Sequence, residues 1–228
     1  MKKLGMCFSV LLLCMSHVIS QNEQQPQDKL GAWYILASNS KLSDRFSVQL
    51  QTQFRFYELA SELQQFKVRS GATFRVMPGL SLAAGYAYFR NDFSYLSDVP
   101  ESFDEHRIVE DILLDHNIGK AKVFHRARVE NRFIVRDGET DVKHWYRQLA
   151  KFAYPINDNW TADVYNEIWI NFDAPVFAQD WLGGGVTYTF NELIKARVGF
   201  QHIIFEGPNF QRLLFQLTFT PDFSKDES

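Results

Sequence analysis

The chain of 228 residues carries 24 Lys and Arg against 27 Asp and Glu, a formal net charge of −3. This slightly acidic balance gives no electrostatic basis for binding nucleic acid, which is therefore not an expected partner. The two cysteines are Cys7 and Cys14, so residues 21–228 contain no thiol for disulfides, thiol catalysis or thiolate metal ligation.

Residues 1–20 have the features of a secretory signal peptide. Lys2 and Lys3 form a basic start, residues 4–15 are mainly apolar, and Ser20 is a small residue at the predicted cleavage point;. The following residues 21–30 are polar and show no periodicity, so we expect a disordered leader there;.

Residues 45–56 show the pattern that indicates the fold class. Apolar side chains fall at every second position, with Thr52 as the exception: Phe46, Val48, Leu50, Phe54 and Phe56. Successive side chains of a strand point to opposite faces, so this segment predicts one strand with an apolar and a polar face. Soluble strands usually have about 5 to 6 residues, whereas a tilted strand that crosses a bilayer needs roughly 9 to 11. The length therefore favours a membrane strand.

Similar alternation continues to the C-terminus and predicts ten strands, at 45–56, 65–76, 80–90, 105–116, 121–134, 143–154, 161–172, 181–190, 193–204 and 210–220. Short connections alternate with longer ones, and the longer ones are 57–64, 91–104, 135–142, 173–180 and 206–209. Bacterial outer-membrane barrels have short periplasmic turns, longer external loops and an even number of strands. We predict an all-β protein with one domain over 31–220, a closed antiparallel transmembrane β-barrel of about ten strands, and a polar tail at 221–228.

Three questions stay open at this level. Residues 31–38 are apolar and extended, but parity excludes a simple eleventh strand if both termini are periplasmic; they would cap or enter the barrel, or belong to a barrel of twelve strands;. On the strand 105–116, Ile108 and Ile112 share a face with Glu110, so its orientation is ambiguous. A soluble barrel with an apolar cavity shows the same alternation. Aromatic residues near strand ends favour the membrane, where Tyr and Trp prefer the interfaces; they include Tyr86, Trp145, Trp169 and Tyr188;.

The segment HRARVENRF, residues 125–133, carries the densest set of charges. Each charge on the lipid face would cost about 2 to 4 kcal/mol near the midplane, so we expect the alternating charges to face the lumen. The candidate site is a lumen charge network formed by Arg69, Arg126, Arg128, Glu130, Arg132, Arg147, Lys151 and Glu167. Two interpretations remain: a structural plug of Arg–carboxylate pairs, or a passage or pocket that attracts anions.

Four motifs carry a family resemblance: HRARVENRF, YRQLAKFAYPI at 146–156, VYNEIW around Glu167, and EHR at 105–107. In this order and spacing they resemble the uncharacterised family of small bacterial outer-membrane barrels known as domain of unknown function 2490, over about residues 33–217. The resemblance implies an outer-membrane β-barrel without an assigned activity. Such proteins tend to carry an Arg where this chain has Asp180 and Trp181, which implies a rearranged lumen network at that point.

The alternative function is a lipid-modifying enzyme of the lipase or deacylase type. Such an enzyme needs a Ser and a His near a leaflet boundary and a third group that orients the His. Ser102 and His106 are the best candidates in the chain, yet nothing resembles the HxSNG arrangement of outer-membrane phospholipase. The histidines also lack HxH or HExxH spacing;. We expect no enzyme, no catalytic residue, no metal and no cofactor.

The last strand places Phe215, Leu217 and Phe219 on one face. This resembles the C-terminal signal that barrel-assembly machinery recognises. The expected location is the bacterial outer membrane, and the expected partners are that machinery, outer-membrane lipid and lipopolysaccharide, and small anionic solutes. In the segment WLGGGV, we expect glycines 183–185 to mark a bend or to make room for a bulky neighbour such as Trp169 or Trp181;.

Overall fold

The computed structural model describes residues 25–225, so the predicted signal peptide, residues 21–24 and residues 226–228 lie outside the described part of the chain. Eleven strands in this part close into a barrel: β1 (Leu30–Lys41), β2 (Phe46–Phe56), β3 (Leu63–Met77), β4 (Leu80–Asp92), β5 (Ser102–Ile118), β6 (Ala121–Arg136), β7 (Glu139–Pro155), β8 (Trp160–Asn171), β9 (Phe177–Thr189), β10 (Ile194–Ile204) and β11 (Phe210–Phe219). Single 3-10 turns at Pro26–Asp28 and Phe223–Lys225 flank the barrel. No helix within residues 25–225 is long and apolar enough to cross a membrane.

The predicted all-β fold and its closure into a barrel are confirmed. Each of the ten predicted strands corresponds to one of β2 to β11, and consecutive strands pair antiparallel from β1 through β11. The correspondence follows from the period of two in the sequence, which a strand with one polar and one apolar face requires.

The exclusion of an eleventh strand at residues 31–38 is wrong. This segment lies in β1, which pairs antiparallel with β2 and parallel with β11, the latter from Leu30↔Gln211 to Ser38↔Phe219. An even strand number is required only when the first and last strands run antiparallel. A parallel seam allows an odd number of strands to close.

The predicted long connection at 135–142 is also wrong. β6 and β7 continue to a two-residue turn formed by Asp137 and Gly138, with φ of 51° and 84°. Positive φ at both positions is typical of the tight type I′ hairpin turn. The strands extend beyond their apolar segments, so hydrophobicity alone did not indicate their ends. We call the end of the barrel with the connections 57–62, 93–101, 137–138, 172–176 and 205–209 the loop end, and the opposite end the turn end.

The outer face of the barrel is apolar and the inner face is polar. On the outer face, for example, Leu50 is 54% and Val164 is 61% exposed, whereas Glu130 and Arg212 inside are 2% and 1% exposed. The orientation of β5 is resolved by Ile108 and Ile112, which are about half exposed on the outer face. Glu110 shares that face, between Ala84 of β4 and Val129 of β6.

Trp145 and Trp169 do not form part of an outer aromatic belt, which corrects the sequence interpretation. They lie inside the barrel with Trp33 and Trp181, and a cluster of Trp33, Trp169, Trp181, Ile203 and Leu214 fills part of the lumen. The physical reason is strand parity, since Trp145 is two residues from the lumen residue Arg147 and therefore shares its face. Trp160, Tyr188 and Phe190 form an aromatic group at the turn end.

Glycine leaves space in the barrel wall, as Gly183 and the facing pair Gly71 and Gly85 show. A Cβ at Gly183 would lie 2.5 Å from the ring of Tyr165 on β8, so the bulky neighbour is Tyr165 rather than Trp169 or Trp181. Gly71 and Gly85 face each other on β3 and β4, and a Cβ at Gly85 would overlap the Ser70 carbonyl oxygen. Close backbone approach therefore requires glycine at position 85.

Candidate functional site

The candidate site is the charged interior of the barrel, and β6 contributes its central strip. Arg126, Arg128, Glu130 and Arg132 point inward at alternate positions of this strand. All eight residues predicted for the lumen network line one cavity of about 670 Å³. The structure therefore places every member of the predicted set inside the barrel.

Glu130 is the centre of the network. Its carboxylate accepts hydrogen bonds from Arg107 Nη1 at 2.7 Å and from Arg147 Nη1 at 2.6 Å, and Arg128 Nη1 lies at 3.4 Å. These donors come from β5, β7 and β6. The three guanidinium groups balance the charge of this buried carboxylate, and through it they connect three neighbouring strands.

Glu167 of β8 extends the network along the wall. Its Oε1 accepts from Arg126 Nη2 at 2.6 Å and from Arg147 Nε at 3.0 Å. Arg147 thus bridges Glu130 and Glu167, while its guanidinium lies 3.4 Å from the ring centroid of Trp169. The planar guanidinium suits both contacts, because it forms forked hydrogen bonds at its edge and stacks through its face.

Three members of the network around Glu130 were not predicted, and all lie on β5. Asp111 pairs with Arg128 Nη2 at 2.8 Å and with Arg69 Nη2 at 3.1 Å. Glu105 pairs with Arg107 Nε at 2.8 Å and also accepts from Arg132 Nε. Glu105, Arg107 and Asp111 are separated by even numbers of residues, so the sequence could have placed them on one face of the strand. Glu110 on the opposite face made the orientation of the strand ambiguous.

Lys151 belongs to a second ion-pair cluster. Asp163 accepts from Arg197 Nη2 at 2.7 Å and from Arg197 Nε at 2.8 Å, and Lys151 Nζ lies 3.4 Å from its Oδ1. Within the described residues, no ion pair joins this cluster to the Glu130 network. The residues predicted to form one network therefore belong to two separate ion-pair clusters on the lumen wall.

The cavity carries a large excess of positive charge. Thirteen Lys and Arg side chains line it, against three glutamates. Asp111 and Asp163 pair with lumen cations as well, which leaves an excess of eight positive charges over these five carboxylates. The cavity extends from Phe205 and Phe210 at the loop end to Lys195 and Thr220 at the turn end.

Two cations of the β2–β3 wall account for part of this excess. Arg55 Nη2 donates to Gln53 Oε1 at 3.1 Å, and Lys67 Nζ donates to Gln51 Oε1 at 2.9 Å. Within residues 25–225, no carboxylate oxygen lies within 4.0 Å of either cation. Both side chains line the cavity.

The loops at 57–62 and 93–101 are joined by contacts that we call the loop clasp. Tyr95 Oη donates to Glu58 Oε1 at 2.8 Å, and Leu96 N donates to Glu62 Oε2 at 3.2 Å. The hydrogen bonds from Tyr95 and then from Ser61 lower the pKa of Glu58. Burial, followed by the hydrogen bond to Glu58, raises the pKa of Tyr95 to about 12.

The two pKa shifts define the pH range of the clasp. The stabilisation from Glu58 is present above the ordinary glutamate pKa of 4.5 and is lost as the pH falls through the lowered value;. The stabilisation from Tyr95 is present below the ordinary tyrosine pKa of 10.0 and is lost as the pH rises toward 12;. At neutral pH both groups hold the clasp.

We therefore expect Tyr95→Phe to increase amide hydrogen exchange over residues 93–101 at pH 7, while the thermal stability of the barrel stays the same. The reason is that the clasp joins two loops and no strand;. Exchange mass spectrometry measures this. Tyr154→Phe, which changes an exposed tyrosine on β7, is the control, and equal exchange in the two variants would contradict the role of the Tyr95 hydroxyl.

Ser102 and His106 do not form a nucleophile–base pair. The Ser102 hydroxyl accepts from Arg90 Nη2 at 2.7 Å, and His106 Nδ1 pairs with the Tyr86 hydroxyl at 2.5 Å. Four residues of extended strand separate them by roughly 13 Å. Residues 25–225 also contain no group of three or more His, Cys, Asp and Glu side chains with the geometry to hold a metal ion.

The comparison with protein families agrees with the resemblance seen in the motifs. A family model described as "Protein of unknown function (DUF2490)" matches residues 30–213. The chain belongs to this family. A search of curated proteins and a search of solved structures gave no match.

The DUF2490 match begins at the first residue of β1 and ends within β11. It therefore includes both ion-pair clusters. At the point where the chain departs from the expected family pattern, Asp180 lies on the outer face and accepts from Asn166 Nδ2 at 2.6 Å. Trp181 lies in the lumen, with its ring centroid 4.5 Å from that of Trp169. An aromatic contact occupies the position where an arginine was expected.

Proposed function

We propose that this DUF2490 protein is an outer-membrane β-barrel that admits small anionic solutes into its cationic lumen. The observation that carries the proposal is the excess of eight positive charges lining a cavity that an apolar outer surface encloses. A soluble ligand-binding barrel has the opposite arrangement, with a polar exterior.

The outer surface supports the location in a membrane. Its strands have 10 to 17 residues, enough for a tilted crossing, which needs roughly 9 to 11. Closure satisfies the backbone hydrogen bonds that an open sheet edge would leave unpaired in lipid. The short connections at the turn end would then face the periplasm and the loop end would face outward.

The location is tested with single cysteines, since residues 21–228 contain none. Ser97→Cys lies in the loop 93–101 and Asp158→Cys at the turn end, and both positions are exposed. A membrane-impermeant maleimide is expected to label position 97 in intact cells and position 158 only after the outer membrane is permeabilised. Equal labelling of both positions in intact cells, or recovery of the protein in the soluble fraction, would refute the location.

The charge of the lumen predicts the sign of its selectivity. A narrow space lined by fixed positive charge attracts anions and repels cations. Purified protein in planar bilayers under a KCl gradient should give current steps with a reversal potential displaced toward that of chloride. Cation selectivity, or the absence of steps, would count against passage through the lumen.

The proposal includes two further partners. Phe215, Leu217 and Phe219 of β11 lie on the outer face, which supports recognition of this strand by barrel-assembly machinery. The apolar outer face supports contact with outer-membrane lipid and lipopolysaccharide;.

A further inference from the structure

We propose that the lumen contains a defined binding site for a small organic anion with a flat aromatic body, formed by Arg55 and Lys67 together with the rings of Trp33, Phe89 and Trp181. This inference rests on the proposed anionic solutes and names their chemical class and the residues that bind them.

The first support is that neither Arg55 nor Lys67 has a carboxylate partner within the described chain. Their hydrogen bonds go to the neutral side chains of Gln53 and Gln51. Each lumen carboxylate is already shared by at least two cations, as Glu105, Asp111, Glu130, Asp163 and Glu167 show. Within the described chain no carboxylate is left to pair directly with Arg55 or Lys67, and a bound anion would supply that charge.

The second support is that these cations converge with others on two aromatic rings. Lys67 Nζ lies 5.7 Å and Arg107 Cζ 4.0 Å from the ring centroid of Phe89. Arg55 Cζ lies 3.8 Å from the ring centroid of Trp33 and 5.7 Å from that of Trp181. Arg147 Cζ lies 5.5 Å from the ring centroid of Trp181. The same space thus combines positive charge from both walls with aromatic surface.

The third support is a set of buried donors without an acceptor in the described chain. Trp33 Nε1, Trp169 Nε1 and Arg55 Nε are such atoms, and both tryptophans are at least 96% buried. All three side chains line the cavity. A buried N–H without an acceptor is unfavourable. Small side-chain shifts that open these atoms to the cavity would let the carboxylate oxygens of a ligand accept from them.

The combination selects the ligand class. Fixed positive charge excludes cationic solutes, and unpaired N–H donors favour oxygen acceptors. Indole and phenyl walls favour a flat apolar body over a fully hydrated inorganic ion. A cavity of about 670 Å³ lies within the range of roughly 300 to 1,000 Å³ for small-molecule sites. An aromatic carboxylate has all of these properties.

Tryptophan fluorescence tests the site directly. Of the five tryptophans, Trp160 lies at the turn end, 41% exposed, and the other four line the lumen. In a Trp160→Phe background in detergent, we titrate 4-nitrobenzoate, which quenches indole emission. We expect saturable quenching, and in Lys67→Met the concentration for half-quenching should rise at least tenfold.

Three references make the result specific. Lys120→Met removes an exposed lysine from a turn and should bind 4-nitrobenzoate as the parent does. The neutral 4-nitrobenzyl alcohol, with the same ring and no charge, should give no saturable quenching. Inorganic phosphate, which has charge and no ring, should compete at least tenfold more weakly than benzoate.

Lys67 has no carboxylate partner within the described chain, so Lys67→Met leaves no orphaned charge and should fold; Arg55→Gln is the second variant. Quenching by the alcohol equal to that by the acid, phosphate competing as well as benzoate, or unchanged binding in both variants would overturn the site. Cysteine labelling and bilayer recordings are independent of this ligand, so the site can fail while the proposed function stands.

Discussion

Replacing Glu130 with glutamine is expected to destabilise the barrel by about 3 to 5 kcal/mol, the usual loss when one partner of a buried ion pair is removed. The carboxylate is 2% exposed and is shared by Arg107, Arg128 and Arg147. With a neutral amide at position 130, the three guanidinium groups lose the carboxylate that they share, and each keeps only its second partner, Glu105, Asp111 or Glu167. The midpoint of unfolding in urea, followed by loss of the β-sheet circular dichroism signal in detergent, measures the change.

Glu139→Gln is the matched control for this experiment. It makes the same chemical change at an exposed position of the hairpin between β6 and β7, at the loop end. Exposed ion pairs contribute roughly 0 to 1 kcal/mol to stability. Equal midpoints for the two variants would show that Glu130 does not hold the network together.

Replacing Gly85 with valine is expected to have the second large effect, a loss of about 3 kcal/mol or a failure to close the barrel. The added Cβ would overlap the Ser70 carbonyl oxygen and would lie 3.0 Å from Gly71 Cα. These are backbone atoms of the neighbouring strand, so the clash cannot be relieved by turning a side chain. The strands β3 and β4 would have to separate at this point.

Gly207→Val is the control for the glycine. A Cβ at Gly207 meets no atom within 4 Å, and the residue lies in the loop between β10 and β11. The fraction of heat-modifiable, folded protein on unheated gels compares the two variants. A folded fraction for Gly85→Val equal to that for Gly207→Val would contradict the need for close strand approach.

Strand alternation was sufficient to predict the barrel fold and the inward orientation of the charges on β6. Charges at every second position of β6 cannot face an apolar environment without cost, so their orientation follows from the sequence. The same parity applied to Trp145 and Trp169 would have placed them inside, beside Arg147 and Glu167. The error arose because the two tryptophans were assigned by the average preference of tryptophan for membrane interfaces. The charged residues two positions away on the same strands would have indicated the lumen.

The partners within the lumen could not be predicted in the same way. Arg126 of β6 contacts Glu167 of β8, and these strands are separated by β7 in the sheet. Such contacts depend on the curvature of the closed wall and on side-chain rotamers. The strand β1 could not be predicted from the parity of the strand number either. Its parallel pairing with β11 removes the requirement for an even number of strands.

The parallel seam also has a consequence for how the barrel is completed. It joins Leu30 to Gln211, so it can form only after nearly the whole chain has been positioned, and contacts between such distant residues form slowly. Parallel ladders are slightly less stable per residue than antiparallel ones. We therefore expect the closed wall to separate most easily along the β1–β11 boundary, and a covalent cross-link across this boundary should prevent that lateral opening;.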